Sequence, residues 1–474
     1  MENLDIYEEI NVLKHISPFL NYNYNSAKIL SEQSKLSTKE LICAYFRTQP
    51  KKYVDELNNF YQLNKVGKKK IMVFIPTYNE ESNVENIIKM YAKQKFSSSG
   101  NESSLSMEDV AVNFIVNYPF DNNKEKYSRD VEIFNRTLKK LIQLKEKHSF
   151  VNIIGKEFTR NTYGLARARK YGLDFSLLCS LYSSDPDKSF IISNEGDTLS
   201  INDDYLEKFY NEYRNCEVNF VQGEIKYPEF VNLNEATALF TQTREYVHLG
   251  QGLDEATFKH FQGILPIGRN MAVHPKLAAM VGSIDATFKK GTDDDMTFGA
   301  DIFNLFGAQF KKYSPIPLIT NPRREIFIVK SILNGDDLDA KKMYEDFNNT
   351  LFLYDKGTEY YAQLVKSLRK NLTHSDKVSL VNQYYQWVWR TIAKNYFSEL
   401  PLFKIIQNNC NNHNIGYWER ENEFVKLYHT LNNNKHKKLF ARISEEALFE
   451  FNKLISPLNV QFSKVTIDVD SKLI

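Results

Sequence analysis

The run Ile71–Pro76, IMVFIP, limits most strongly what this chain can fold into. A continuous apolar stretch closed by proline suits a strand buried on both faces, the habit of parallel sheets. Parallel neighbours need a crossover connection, ordinarily a helix. The following sequence supplies that alternation. Ser82-Asn83-Val84-Glu85 has the pattern of a capping box and opens a helix through Met90. A polar insertion, SSSGNESSLSMED at 97–109, precedes the strand AVNFIV at 111–116. Helical spacing over about 130–147, the strand VNIIG at 151–155, a helix over 165–180 and the strand Phe190–Ser193 follow. Strands alternating with helices predict βαβ units and a doubly wound α/β sheet.

The flanks read differently. Residues 1–68 are helical and polar, with a capping box at Ser37-Thr38-Lys39-Glu40 and a polar break, GKKK, at Gly67–Lys70. From about 331 the strand signals fade and helical spacing recurs at 340–352, 358–371, 377–397 and 444–455. Three regions are expected: helical 1–68, an α/β domain over 69–330, and helical 331–474. A chain of 474 residues has room for them at about 150 residues per domain. With 61 basic and 59 acidic residues, the charge balance argues against bulk binding to nucleic acid. Cys43, Cys179, Cys216 and Cys410 show no metal-ligand spacing and read as free thiols of a reducing compartment. The first residues, MENLDIYEEI, lack a signal pattern, and no stretch holds 18 apolar residues. A soluble cytoplasmic chain is expected, with peripheral membrane contact still open.

Four segments carry polar chemistry at predicted strand ends, where open α/β sheets bind ligands. The first is Pro76-Thr77-Tyr78-Asn79-Glu80, whose loop can hold a base and ribose. The second is Asn161–Gly172, NTYGLARARKYG. Its small residues permit close helix–sheet packing, and its basic residues can meet a diphosphate or simply form a basic helix face. The third, Ser193-Asn194-Glu195-Gly196-Asp197-Thr198, places two carboxylates one residue apart, hard oxygen ligands suited to Mg²⁺ or Mn²⁺. The fourth, Gly291–Gly299, holds Asp293, Asp294 and Asp295, whose mutual repulsion can raise a carboxylate into the range of a general base. Read singly, the last two are also consistent with solvated acidic turns.

In this order and spacing the segments IPTYNEE, GLARARKYG, NEGDT, IGRNMAVHP and DDDMTFG resemble the family-2 inverting glycosyltransferases of the GT-A fold, over about residues 70–330. The resemblance implies a GT-A-type doubly wound mixed sheet flanked by helices, with helical N- and C-terminal extensions. It implies a nucleoside-diphosphate sugar as donor, a UDP-sugar foremost, with Mn²⁺ or Mg²⁺. The acceptor would be a glycan, a lipid-linked molecule or a protein. Carried over by position, Pro76, Thr77, Tyr78 and Glu80 correspond to the nucleotide loop, and Asn117 or Asp121 to the base-binding position. Arg169 matches the motif arginine, Glu195 and Asp197 the metal motif, and Gly268, Arg269 and Asn270 the acceptor-side segment. Asp295, with Asp294 before it, corresponds to the catalytic base. Glu195 for the first Asp, Lys170 for Asn, His274 for Arg and Asp294 for Glu depart from the family pattern, and Asp293 leaves the base uncertain by one position. Gln383-Tyr384-Tyr385-Gln386-Trp387 approaches a motif of processive members, and equally suits a helix with core aromatics.

Two other readings compete. A nucleotidyltransferase would need a glycine-rich basic loop after the first strand, which PTYNEES does not supply. A decayed sugar-nucleotide-binding or scaffold protein would fit the Glu195 and Lys170 changes.

Overall fold

The computed structural model describes residues 36–97, 105–120, 128–159, 165–215, 220–226, 268–284, 311–321, 373–393 and 437–456, with isolated positions between them. The chain forms two compact units, Met1–Lys226 with Ile264–Thr320, and Tyr227–Gly263 with Asn321–Ile474.

The first unit is built on one mixed eight-stranded sheet. In chain order its strands are β1 Ile71–Thr77, β2 Val110–Phe120, β3 Val151–Thr159, β4 Phe190–Ser193, β5 Thr198–Ile201, β6 Phe220–Lys226, β7 Met271–Val273 and β8 Lys311–Thr320. Their spatial order is β3-β2-β1-β4-β7-β6-β8-β5. Strands β3, β2, β1 and β4 run parallel. β7 is antiparallel to both β4 and β6, β6 and β8 are parallel, and β5 is antiparallel to β8. The mixed α/β sheet expected from the sequence is therefore present.

β1 is buried at every position because both of its faces are covered. Met72 and Phe74 enter one core with helices α1 Thr38–Thr48, α2 Lys51–Asn64 and α5 Leu165–Leu181. Ile71, Val73 and Ile75 enter the other, with α3 Val84–Ala92 and α6 Tyr205–Asn215. α4 Ser128–Lys145 contributes Leu141 to that second core. This is the period-two alternation of a strand serving two layers. Gly172 permits the close approach of α5. A Cβ there would lie 2.7 Å from Phe74 Cδ2 and 3.1 Å from Ile115 Cγ1. The capping box at Ser37 forms as read, with Glu40 reaching back to the Ser37 amide at 2.7 Å.

Three local expectations are corrected. The second capping box does not form: α3 starts at Val84, and its cap residue, Asn83, makes no side-chain cap bond. The Asn83 amide instead donates to the carbonyls of Gly196 and Thr198, and Glu85 pairs with Lys89 at 2.7 Å. The polar insertion ends in a short 3₁₀ turn, Met107–Asp109, closed by its own Ser106 cap. β2 and β3 run on to Phe120 and Thr159, past the expected ends at 116 and 155. Beyond Val116, β2 pairs with β3 and no longer with β1, so Pro119 is tolerated on a strand edge.

Of the second unit, α8 His374–Ala393 and α9 Lys437–Ile455 are described. Trp389 Nε1 donates to Ser444 Oγ at 3.0 Å and Tyr385 donates to the Ser444 carbonyl at 3.2 Å. The segment Gln383–Trp387 lies in α8, with Tyr384 and Tyr385 buried. Among the described residues no helix is long and apolar enough to cross a membrane. Cys43 and Cys179 are buried and in no disulfide, and burial pushes the Cys179 thiol up, which suits a packing residue.

Candidate functional site at the sheet switch point

β1 is flanked by β2 on one side and β4 on the other, so strand order reverses between β1 and β4. Crevices of this kind, beyond the carboxyl ends of parallel strands, are where α/β sheets bind ligands. The loops after β1 and β4 meet there. Asn194 and Gly196 continue the ladder past β4, their amides donating to Phe74 O at 3.1 Å and Pro76 O at 3.2 Å. Asn83 clamps the same loop, donating to Gly196 O at 2.8 Å and Thr198 O at 2.9 Å. A Cβ on Gly196 would lie 3.0 Å from Glu80 Cγ, so glycine lets the two loops close on each other. Asn79, in the first loop, takes a left-handed backbone (φ 55°), which asparagine accepts more readily than most residues. Thr77, Glu80, Glu195 and Asp197 are all buried.

The two carboxylates have different surroundings. Glu195 Oε1 meets Arg169 Nη2, and Glu195 Oε2 lies 3.6 Å from Arg269 Nη1. All three side chains are nearly excluded from solvent, so each charge is offset by its neighbours rather than by water. Gly268 makes room for this pair. A Cβ there would sit 2.2 Å from Arg169 Cζ, inside the guanidinium. The Gly268 carbonyl also accepts from Ser193 Oγ, at the end of β4. Asp197 belongs to a second set: its Oδ1 accepts from Thr320 Oγ1 at 3.3 Å, and Thr320 Oγ1 accepts from Arg269 Nη1 at 2.8 Å. The pairing of Thr198 with Thr320 between β5 and β8 brings Asp197 to that hydroxyl.

Mg²⁺ and Mn²⁺ are commonly held through one or two carboxylates plus substrate phosphate oxygens. Asp197 fits such a role. Glu195, as placed, is the counter-ion of two arginines. No cluster of three or more potential metal ligands occurs among the described residues.

A buried polar network supports both loops. The Asn194 amide donates to Tyr91 Oη, and Tyr205 Oη donates toward Asn194 Oδ1 at 3.0 Å and Asn270 Oδ1 at 2.8 Å. Burial raises both phenols well above their ordinary range. Asn270 is fully buried with φ 59°, and its amide donates to Glu224 O at 2.6 Å and Ile316 O at 2.9 Å. The GRN segment is thereby fixed across β6 and β8.

Other motif positions also make bonds within the scaffold. Asn117 donates to Thr77 O at 3.2 Å and Ile115 O at 2.9 Å, tying the ends of β1 and β2 together. Lys170 turns toward the N-terminal helices. It donates to Asp174 Oδ2 at 2.9 Å and to Tyr45 Oη at 2.6 Å, while Tyr45 and Tyr53 also donate to the Asp174 carboxylate. His274 caps α7 Pro275–Met280. Its Nδ1 accepts from the Lys276 amide at 2.9 Å, and its Nε2 lies 3.1 Å from Asp187 O. Burial drives its pKa down to about 4, so it is a neutral imidazole. Asp121, Asp293, Asp294 and Asp295 lie outside the described residues. Phe298, three positions past Asp295, is buried in the core that contains Phe74 and Tyr171.

Tyr91, Tyr205 and Thr320 were not singled out by sequence reasoning, and Asn83 was read only as part of a helix cap. Each acts at the site through a side-chain hydrogen bond, and no local pattern shows its partners.

No family model and no curated protein sequence matches this chain. Among solved structures it is similar to a mannosyltransferase, PcManGT from Pyrobaculum calidifontis, in complex with GDP-Man and Mn²⁺. The two share 12% identity over 88% of this chain and 99% of that chain, with a TM-score of 0.34. Neither the fold nor the site described above depends on that likeness.

Proposed function

We propose that this chain is a glycosyltransferase that moves a sugar from a nucleoside-diphosphate sugar to an acceptor hydroxyl by a metal-dependent, inverting single displacement. The observation that carries the reading is the meeting of the Pro76–Glu80 and Asn194–Asp197 loops at the switch point, with three buried acids and two buried arginines among them. Such a crevice suits an anionic nucleotide, because buried guanidiniums aimed at phosphate act in a low-dielectric setting.

The loop Pro76–Glu80 holds the base and ribose, with Asn117 at the base-binding position fixing the loop's strand ends. Arg169 and Arg269 complement the diphosphate. Asp197 would hold Mn²⁺ or Mg²⁺, with Glu195 nearby, and the ion would supply charge stabilisation for the departing nucleoside diphosphate. Asp295, or its neighbour Asp294, takes the proton from the acceptor hydroxyl. A UDP-sugar is the first donor to test.

Purified protein is incubated with UDP- and GDP-sugars and Mn²⁺, and nucleotide release and the anomeric configuration of product are followed by NMR. Asp197→Ala should lower transfer at least about 100-fold, the usual scale for losing one charge-stabilising group. Asp295→Asn should abolish transfer. A product that retains the donor's anomeric configuration would overturn the mechanism.

One observation favours a second reading. Glu195 engaged by two arginines suits a protein that binds a sugar nucleotide without transferring it. Metal-dependent hydrolysis of the donor in the absence of acceptor would exclude that reading.

A further inference from the structure

We propose that Thr320, on β8, is a positioning residue for Asp197, acting as the middle of a relay that runs from Arg269 through the Thr320 hydroxyl to the Asp197 carboxylate. The inference rests on the functional reading above, because it concerns the carboxylate assigned there to the divalent ion.

Chemistry fixes the direction of the relay. A guanidinium can only donate, so Thr320 Oγ1 accepts from Arg269 Nη1, 2.8 Å away. The hydroxyl has one proton, and its other neighbour is Asp197 Oδ1 at 3.3 Å. The carboxylate accepts that proton's hydrogen bond. Threonine is therefore oriented by the arginine before it orients the aspartate. Thr320 is fully buried, and Arg269 and Asp197 are nearly so, so water does not compete for these bonds. The backbone supports the geometry, since Thr198 pairs with Thr320 across β5 and β8 and places Asp197 one residue from the ladder. Arg269 also lies 3.6 Å from Glu195 Oε2, so a single guanidinium faces one acid of the NEGD turn directly and the other through Thr320.

A carboxylate held in one rotamer loses less freedom on taking a metal than a swinging one. Outer partners of metal ligands typically contribute about 10- to 100-fold in affinity. The metal motif is then completed by a hydroxyl more than a hundred positions away, which no local pattern around Asp197 reveals.

The test titrates Mn²⁺ into the full chain by electron paramagnetic resonance, with UDP or GDP present, without reading turnover. Thr320→Val keeps the β-branched shape and removes the hydroxyl. It should weaken Mn²⁺ binding about 10- to 100-fold. Thr320→Ser, which keeps the hydroxyl, should bind within a few-fold of the parent protein. Thr320→Ala serves as a second hydroxyl-free variant, and thermal melts show which proteins are folded. Parent-like binding in folded Thr320→Val or Thr320→Ala overturns the relay and leaves the glycosyltransferase reading standing. Thr320→Ser binding as weakly as valine also overturns it. A parent protein that takes up no Mn²⁺ with either nucleotide overturns the functional reading and the relay with it.

Discussion

Gly268→Ala is a sharp test of the site's architecture. The added Cβ would stand 2.2 Å from Arg169 Cζ and 2.3 Å from Arg169 Nη1, distances no pair of non-bonded atoms adopts. Gly268 has no left-handed backbone, so the effect is steric rather than conformational. The Arg169 guanidinium must leave its slot, and Glu195 loses the closer of its two cationic partners. Breaking a buried pair by displacing one partner costs about 3–5 kcal/mol. Arg269, 3.6 Å from the other oxygen, keeps part of the compensation and sets the expectation at about 3 kcal/mol. For a unit of this size that corresponds to a fall in melting temperature of roughly 5–10 °C. The assay is thermal unfolding of four proteins: the parent, Gly268→Ala, Arg169→Met and the double variant. If the clash is with the guanidinium, the alanine should cost far less once Arg169 is methionine, a coupling of about 1–3 kcal/mol. An alanine penalty of the same size in both backgrounds would refute the slot, as would a parent-like single variant.

Two further predictions concern motif residues assigned to the scaffold. Lys170→Asn should lower stability by about 1–3 kcal/mol, since the buried Asp174 loses its ammonium partner, and should leave the KM for the donor within two-fold; a large rise in donor KM would return Lys170 to the nucleotide site. His274 is held neutral by burial, its pKa driven from 6.5 to about 4, so above pH 6.5 it costs nothing in either state; as pH falls from 6.5 toward 4 the unfolded chain takes a proton that the folded site refuses, and stability drops by about 3 kcal/mol from this group. His274→Asn, which keeps an N-cap acceptor but does not titrate, should flatten that part of a stability-versus-pH curve measured by denaturant unfolding, and an unchanged slope would remove His274 as its source.

Half of the sheet was legible because β1 to β4 are apolar runs long enough to stand out, and they form a continuous four-stranded parallel half of the sheet. The other strands escaped for identifiable reasons. β7 has only three residues and draws its order from β4 and β6 on either side. β8 carries two prolines, Pro315 and Pro317, and its pairing with β6 shifts register at Gly223/Glu224. The candidate loops were legible for the same reason as the strands, since they follow the ends of β1 and β4. What each side chain binds was less so. Asn83 looked like part of a helix cap, and a side-chain amide does seek backbone groups there, but the carbonyls it found lie more than 110 positions away. Glu195 read as a metal ligand because acids at strand ends often are. Its meeting with Arg169 depends on Gly268, and nothing local to either residue announces that a glycine elsewhere opens the slot.

The charge arrangement of the site follows from its burial. Buried charge needs nearby opposite charge or hydrogen bonds in place of water, and here Arg169 and Arg269 stand against Glu195, while Asp197 and Glu80 are buried in the same crevice. A lone divalent ion meets repulsion from Arg169 and Arg269, and a lone diphosphate meets repulsion from the buried carboxylates. A diphosphate with its divalent ion already attached brings little net charge, and each half finds an opposite partner in the cluster. On the proposed function, the arginine pairing of Glu195 is then the resting arrangement of a site built to accept metal and nucleotide together. The guanidiniums that neutralise Glu195 beforehand are the groups that would face the phosphates afterwards, and Thr320 keeps Asp197 in place while that exchange of partners occurs.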